Sequence, residues 1–432
     1  MICDNISIKD GHLFFANQDT TELAEKYGTP LYLLDENKIR EKIRAYKSVM
    51  ERVFPEGSLP IYASKANSFK QIYRICSEEN IGVDVVSEGE IYTAAAAGFD
   101  MSKAYFQGNN KTDEEIAFAL DKGVGYFVVD CMEELETLDK MAAQRGITQK
   151  ILVRVTPGID PHTYEKIATG KVDSKFGSPI ETGSAEKIVK RAIECGHIDL
   201  RGIHCHVGSM VFAEDVYEQT ARVMLEFMAL VKDKFGYELE VLDLGGGYGV
   251  PYVESDGHID ITEKTESVAR TIDENCRRLK ITYPKIILEP GRSIVADAGM
   301  TLYTAGAMKV IEGYKSYVSV DGGMTDNPRY ALYGSKYTVY DASRMDEPAD
   351  ALFDVVGKCC ESGDIIQPKV KLPAAVKRGD IIAVCTTGAY NYSMASNYNR
   401  IGRPAVVMLK DSESYIAVKR ETLEDMARND IL

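Results

Sequence analysis

The chain has 432 residues, 45% hydrophobic and 27% charged, and its 66 acidic residues against 51 lysines and arginines give a net charge of −15. Such an acidic chain without a basic cluster is unsuited to binding nucleic acid or an anionic membrane. We see no secretion signal at the N-terminus and no apolar run near the ~18 residues of a membrane span, so we expect a cytoplasmic protein. This length predicts two domains, unless one of them is a barrel.

The nine cysteines are scattered, and only Cys359 and Cys360 are neighbours. An odd number without a C-x-x-C pair argues against a disulfide framework and a zinc ribbon. The run HCHV at residues 204–207 could suggest a metal site. On a strand, however, His204 and His206 share one face and Cys205 points the other way, so the three cannot chelate one ion together. We therefore expect no metal.

In chain order, residues 1–30 come first and contain the run HLFFA, which we expect to contribute to a β domain. Residues 31–293 then alternate short apolar strands with helical stretches. The eight predicted strands are PIYAS, IGVDVVS, AYFQG, YFVVD, KILVRVTP, RGIHCHVG, LEVLDLGGG and KIILEPGR. Eight strand–helix units predict a parallel (β/α)8 barrel of the TIM type. An open doubly wound sheet gives the same alternation, but eight units without a dinucleotide fingerprint favour the barrel.

Residues 294–432 have a different pattern, with short strands broken by Gly, Asp and Pro turns. This pattern predicts a separate C-terminal all-β domain of the Greek-key or β-sandwich type.

Unusual residues stand at the carboxyl ends of the predicted barrel strands, where such barrels carry their chemistry. They are Lys65 after strand one, Asp84 and Ser87 after strand two, Asp130 after strand four, Arg154 after strand five, His206 and Ser209 after strand six, Gly245–Gly247 after strand seven and Glu289–Arg292 after strand eight. A single strand-end lysine is more often a solvated cap. A ring of such residues at one end indicates an active site.

The glycines Gly245, Gly246 and Gly247 present backbone N–H groups without side chains, which suits a phosphate, although a tight turn explains the run equally well. Gly291 and Arg292 follow strand eight, the other usual place for phosphate in these barrels. A phosphate site together with Lys65 suggests pyridoxal phosphate, since the lysine amine can form a Schiff base with its aldehyde. Glu289 is then placed to face the ring nitrogen and His206 to lie on the ring.

The sequence resembles the fold-type III pyridoxal-phosphate decarboxylases, and among them the diaminopimelate branch, almost from end to end. The motifs YASKAN, HVGS, GGG and EPGR mark the wider family, and SKFG, CESGD and GAYNYSMASNYN mark the branch. The sequence departs from the family pattern at Glu88, Tyr164 and Tyr330, none of which occupies a chemical position.

The resemblance implies a role for each matching residue. Lys65 would carry the cofactor, His206 would stack on its ring, and Glu289 would face the ring nitrogen. The phosphate would be held by Ser209, Gly245, Gly246, Gly247, Gly291 and Arg292. The residues expected to contact substrate are Arg292, Arg329, Tyr333, Glu361 and Tyr390, with Tyr390 also at the cofactor. Cys360 would donate a proton from the partner chain of a homodimer with shared active sites.

The expected reaction is decarboxylation of meso-2,6-diaminopimelate at its D-centre to L-lysine and CO2. The end of this substrate that does not react carries a carboxylate and an ammonium, which Arg329 and Glu361 could bind. A decarboxylase of carboxynorspermidine, ornithine or arginine remains an alternative. An alanine-racemase-like enzyme is disfavoured by Glu289, because such racemases place arginine at the ring nitrogen. A non-catalytic pyridoxal-phosphate carrier would lack the ~140 residues after Ser293 (approximate at both boundaries).

Overall fold

The computed structural model describes residues 1–160, 169–213 and 215–432, so Tyr164 lies outside the described residues. The chain folds into two compact units. The β unit comprises residues 1–41, 250–257 and 292–432, and the barrel unit comprises residues 42–249 and 258–291. None of the described helices is both long and apolar enough to cross a membrane.

The chain begins with three short strands that pair antiparallel in a small sheet of their own. The first elements are β1 (Ile6–Lys9), β2 (His12–Phe15), β3 (Gln18–Asp19), α1 (Thr20–Tyr27), β4 (Leu31–Asp35) and α2 (Glu36–Val53). Helix α1 begins after Asp19 because the carboxylate of Asp19 accepts hydrogen bonds from the backbone N–H groups of Thr21 and Glu22.

Eight parallel strands close into a barrel, which confirms the predicted (β/α)8 fold. The strands of the barrel unit are β5 (Leu59–Ala63), β6 (Gly82–Val85), β7 (Ala104–Phe106), β8 (Tyr126–Val129), β9 (Gln149–Thr156), β10 (Ser178–Pro179), β11 (Ile198–His204), β12 (Val241–Asp243) and β13 (Lys285–Leu288). Strand β13 pairs with β5 and β8 pairs with β9, which closes the ring, and the two-residue β10 adds only to β9.

Helices connect the barrel strands, and apolar side chains fill the barrel. The helices are α3 (Lys70–Glu78), α4 (Glu88–Ala96), α5 (Asp113–Asp121), α6 (Met132–Arg145), α7 (Ser184–Glu194), α8 (Val216–Phe235) and α9 (Ile261–Leu279). One buried cluster draws a residue from each of six strands: Ile61, Tyr105, Val128, Leu152, Val241 and Ile287. The interior at this level is thus a packed apolar core.

The β unit is built on a second sheet, as the pattern after residue 293 predicts. Its remaining elements are α10 (Arg292–Val295), β14 (Gly299–Ile311), β15 (Lys315–Val320), α11 (Arg329–Tyr333), β16 (Val339–Asp341), β17 (Ala351–Val356), β18 (Ile365–Leu372), β19 (Ile381–Cys385), β20 (Ala405–Lys410), β21 (Glu413–Val418) and α12 (Leu423–Ala427). The strand order is β18-β17-β15-β14-β4-β20-β21, and β19 pairs with β14 and β16.

The early part of the chain supplies this second sheet with β4, which lies between β14 and β20. The run HLFFA instead forms β2 in the small three-stranded sheet, and its Leu13 and Phe15 pack in the same apolar core as Leu31 and Leu33 of β4. Residues 1–30 thus add side chains to that core, and the strand in the larger sheet comes from the residues that follow them.

Candidate active site

Lys65 lies in a single 3-10 turn, Ser64–Ala66, directly after β5. Its Nζ is 3.6 Å from Oδ2 of Asp84, which is fully buried in β6, the neighbouring barrel strand. Among the described residues no donor makes a hydrogen bond to either carboxylate oxygen of Asp84. Burial raises the pKa of Asp84 to about 7, although the charge on Lys65 opposes the shift. The lysine at the end of the strand therefore has a buried acidic partner.

Glu289 follows β13 directly and is almost completely buried. The side-chain amide of Gln107, which follows β7, donates a hydrogen bond to Oε1 of Glu289. On the other oxygen, Oε2, Nε2 of His204 lies 3.4 Å away. Burial alone would raise the pKa of Glu289, but His204 and Lys65 outweigh burial and hold the pKa at about 2. Glu289 is therefore a carboxylate at neutral pH.

His206 is held by the glycine turn that follows β12. The backbone N–H of Gly246 donates to Nδ1 of His206 at 3.3 Å, so the ring proton of a neutral imidazole sits on Nε2. Burial and the nearby charge of Lys65 hold the pKa of His206 well below its usual range, which keeps the ring neutral. Ser209, three residues on, is half-buried.

No side chain fits at the glycines of this turn. A Cβ on Gly246 would lie 2.1 Å from the carbonyl oxygen of Glu289, and one on Gly247 would lie 2.0 Å from that of Gly208. Gly245 and Gly247 have φ values of +68° and +100°, a region that other residues rarely adopt. A Cβ on Gly291 would approach Ala63 to 2.9 Å. The predicted phosphate turn is thus a tight turn of bare backbone.

A candidate metal cluster occurs in the described residues at His204, Asp243 and Glu289, whose ligand atoms lie within 4.8 Å of one another. Neither Cys205 nor His206 belongs to this cluster. Burial lowers the pKa of His204, and the positive charges of Arg154 and Lys65 lower it further. These two charges would also oppose the binding of a cation at the cluster. The expectation of no metal stays a prediction.

Arg154, in β9, contacts the SKFG motif, which is residues 174–177. Its guanidinium lies 4.4 Å from the ring centroid of Phe176, and the backbone N–H of Gly177 donates to Oδ1 of Asp130 at 2.8 Å. These contacts tie the motif to the ends of two barrel strands.

In the β unit, Arg292 begins α10 and lies among tyrosines. Its Nη1 donates to the hydroxyl of Tyr252 at 2.6 Å, and its guanidinium carbon is 4.7 Å from the ring centroid of Tyr390. Tyr252 belongs to residues 250–257, the short segment that joins the β unit from between barrel elements. Arg292 and Tyr390, both predicted site residues, are therefore in contact.

Arg329 begins α11 and is 7% exposed. Its guanidinium carbon lies 5.4 Å from the ring centroids of both Tyr333 and Tyr390. Nη2 donates to Oγ of Ser335 at 3.4 Å, and Nε has no hydrogen-bond partner in the described part of the chain. Burial lowers the pKa of Arg329, but the surrounding tyrosines raise it overall. A buried guanidinium with an unpaired donor and no ion pair among the described residues is suited to an anionic ligand.

Cys360 and Glu361 lie in an exposed turn between β17 and β18. Backbone hydrogen bonds fix this turn: Cys360 N–H donates to Oδ1 of Asn399 at 2.7 Å, and Cys359 N–H donates to the buried Asp364 at 2.7 Å. Within the described residues, Glu361 forms no ion pair with Arg329. One chain therefore does not bring together the two groups predicted to bind the far end of the substrate.

Sequence reasoning did not identify Gln107, Asp243 and Tyr252 and considered His204 only as a metal ligand. The signal for Gln107 and Asp243 was their place at the ends of the predicted strands AYFQG and LEVLDLGGG. For His204 the signal was the strand face that it shares with His206. Tyr252 carried no such signal, because its partner Arg292 is 40 residues away.

Known proteins resemble this chain over nearly its whole length. The family model described as "Pyridoxal-dependent decarboxylase, pyridoxal binding domain" matches residues 36–296. A diaminopimelate decarboxylase from Bacillus subtilis is 43% identical over 98% of this chain and 95% of its own, and one from Staphylococcus aureus is 42% identical over 98% of each. The crystal structure of diaminopimelate decarboxylase from M. jannaschii with L-lysine aligns over 100% of this chain and 99% of its own, with a TM-score of 0.92 and 34% identity.

These matches run the length of both units and confirm the predicted resemblance over the racemase and carrier-protein alternatives. The chain belongs to the pyridoxal-dependent decarboxylases, in the family of the diaminopimelate decarboxylases.

Proposed function

We propose that this protein removes CO2 from the D-centre of meso-2,6-diaminopimelate and releases L-lysine, the last step of lysine biosynthesis. The observation that carries the proposal is identity of more than 40% to diaminopimelate decarboxylases over almost the whole chain, β unit included. The crystal structure from M. jannaschii holds L-lysine, the product of this reaction.

The barrel unit fits pyridoxal phosphate. The lysine amine, the buried ionised Glu289 and the bare backbone of the glycine turn match the aldehyde, ring nitrogen and phosphate of that cofactor. When bound, the cofactor supplies an electron sink for the carbon that loses its carboxylate. We propose that Lys65 holds it covalently and that His206 lies against its ring. Ser209, Gly245, Gly246, Gly247, Gly291, Arg292 and Tyr390 are the further residues that we assign to cofactor binding.

Glu289 holds a proton on the ring nitrogen. A carboxylate with a pKa of about 2 remains charged at neutral pH and stabilises a protonated nitrogen beside it. The neutral imidazole of His206 adds no positive charge next to the ring, and its flat face is available for stacking.

Arg329 binds the carboxylate of the substrate end that does not react. Its buried guanidinium has no carboxylate partner among the described residues, so a substrate carboxylate would supply the missing anion. Tyr333 packs beside it, and Glu361 of the partner chain is our candidate for the ammonium at the same end. An ornithine or arginine tail carries no carboxylate and would leave Arg329 buried without an anion.

Cys360 gives the proton that replaces the lost carboxylate on the α-carbon, and it does so in the active site of the partner chain of a homodimer. Support comes from the exposure of Cys360 and Glu361 in the single chain, on a turn that backbone hydrogen bonds fix in place. We also assign the protein to the cytoplasm, because all nine cysteines are free thiols.

The first test is to incubate the purified protein with pyridoxal phosphate and meso-diaminopimelate and to quantify lysine and CO2. Parallel reactions contain ornithine, arginine or carboxynorspermidine. We expect lysine and CO2 in equal amounts from diaminopimelate alone, none from Lys65→Ala, and unchanged turnover in Lys187→Ala, which alters an exposed lysine of α7. CO2 from another substrate and none from diaminopimelate would refute the substrate assignment.

A mixing experiment tests the shared site. Lys65→Ala and Cys360→Ala homodimers are each expected to be inactive or nearly so. After subunit exchange, half of the dimers are mixed and each mixed dimer has one intact site, so activity should recover to about one quarter of wild type. If exchange is verified and no activity returns, Cys360 does not act across the interface.

A further inference from the structure

Asp243, the last residue of β12, lies beside Glu289 at the end of the barrel core. Its side chain is completely buried, and its carboxylate belongs to the group of atoms within 4.8 Å that also includes His204 and Glu289. Two buried carboxylates this close are unfavourable when both are ionised, because each negative charge raises the pKa of the other.

The hydrogen bonds show which of the two carries the charge. Glu289 accepts from Gln107 and faces Nε2 of His204, so both of its oxygens meet a donor. Asp243 accepts from the backbone N–H of Gly245 through Oδ1 at 2.9 Å, whereas Oδ2 has no hydrogen-bond partner among the described residues. A buried carboxylate oxygen without a donor is unfavourable, but a buried hydroxyl that donates to the neighbouring carboxylate is not.

We propose that Asp243 is a neutral carboxylic acid whose Oδ2 hydroxyl donates a hydrogen bond to Glu289, and that Asp243 thereby positions the Glu289 carboxylate for the ring nitrogen of the cofactor. Asp243 is a positioning residue, since it acts through Glu289. The inference rests on the proposed function only through the cofactor, and the protonation state can be measured without any turnover.

The groups that surround the pair support this distribution of charge. They are Lys65 after β5, Asp84 in β6, Tyr105 in β7, Arg154 in β9, and His204, Cys205 and His206 at the end of β11. Burial, and then the negative charge of Glu289, raise the pKa of Asp243 well above its usual range. His204 and Lys65 lower the pKa of Glu289. The pair therefore carries one negative charge, which one protonated ring nitrogen neutralises.

Infrared spectroscopy of the holoenzyme tests the protonation state directly. Four other buried acids, Asp84, Glu90, Asp326 and Asp341, have pKa values of about 7. At about pH 9 these four are ionised, and the difference between the wild-type and Asp243→Asn spectra separates the band of residue 243 from that of any other protonated acid. We expect the wild-type spectrum to contain a protonated-carboxyl C=O band that Asp243→Asn lacks. Loss of a carboxylate band instead would overturn the proposal.

Cofactor affinity tests the positioning role. Asn at residue 243 keeps an acceptor for Gly245 N–H and an N–H donor toward Glu289, whereas Val has neither. We expect Asp243→Val to weaken pyridoxal-phosphate binding by about tenfold more than Asp243→Asn, which corresponds to about 1.4 kcal/mol. The bound-cofactor absorption band should shift in Asp243→Val and not in Asp243→Asn. Equal weakening in both variants, with circular dichroism showing that both fold, would refute the role as donor.

Discussion

Replacing Arg329 by methionine should remove most of the binding of the substrate's second carboxylate. Methionine keeps an unbranched apolar stem near Tyr333 and Tyr390, but it is shorter than arginine and has neither charge nor donors. The wild-type guanidinium is 7% exposed, its Nε lacks a partner among the described residues, and its bond to Ser335 is long at 3.4 Å. Its donors are therefore available for a ligand, and their removal should affect binding more than folding.

The size of the effect follows from the number of bonds lost. A guanidinium binds a carboxylate through two parallel charge-assisted hydrogen bonds, each contributing about 1.5 kcal/mol at the lower end of the measured range. Two such bonds amount to about 3 kcal/mol, which lowers kcat/KM for diaminopimelate roughly 150-fold. Arg329→Lys keeps the charge without the planar pair of donors, so its kcat/KM should fall between those of wild type and Arg329→Met.

The assay compares two inhibitors that differ in one carboxylate. L-Lysine retains the carboxylate of the end that does not react, and 1,5-diaminopentane has none. In Arg329→Met we expect inhibition by L-lysine to weaken roughly 150-fold and inhibition by diaminopentane to change by less than about threefold. An equal loss for both compounds would show a general disruption of the site and would refute the assignment of Arg329 to the carboxylate.

Three further predictions concern the barrel unit. Gly246→Ala places a Cβ 2.1 Å from the carbonyl oxygen of Glu289, so spectroscopic titration should show weaker cofactor binding, and wild-type affinity would contradict the close packing of the turn. Lys111 and Glu134 form an ion pair of 2.8 Å with side chains 1% and 4% exposed. Lys111→Met should therefore lower the free energy of unfolding in urea by about 3–5 kcal/mol, and adding Glu134→Gln should restore part of it; no recovery would show that the buried charge is not the cause. Asp84 has a raised pKa in the folded apoprotein. Between about pH 4 and about pH 7 the folded state therefore keeps a proton on Asp84 that the unfolded chain has already released. Its stability should fall as pH rises through this window and less steeply in Asp84→Asn; equal slopes would place the pKa elsewhere.

Local patterns were sufficient to predict the barrel. Each barrel strand is a short apolar run bounded by turns, and parallel strands place all their carboxyl ends on one side, so the sequence alone assigns Lys65 and Glu289 to one end of the barrel. The same reasoning predicted the change to short strands after residue 293.

Pairings across long stretches of chain could not be predicted in this way. Strand β4 pairs with β14 and β20, and Leu31 lies opposite Leu302 in one pairing and Ala405 in the other. These partners are more than 260 residues away in the sequence. No local pattern in LYLLD reveals them. The bond from Arg292 to Tyr252 depends on a short segment that leaves one unit for the other. The donor from Gln107 to Glu289 depends on barrel closure, which brings together the ends of β7 and β13 although β5 and β6 lie between them in the sheet. The predicted boundaries at residues 30 and 293 and the roles of the individual site residues stay predictions.

The nine thiols differ in their exposure to solvent, and this difference offers a way to follow assembly in solution. Cys360 is the exposed cysteine of the single chain; Cys131 and Cys195 are half-buried, and the other six are buried. A maleimide fluorophore should thus label Cys360 fastest in a separated chain. In the dimer that we propose, the partner covers this thiol, so the labelling rate would decrease with protein concentration and would report the monomer–dimer equilibrium without any enzymatic assay.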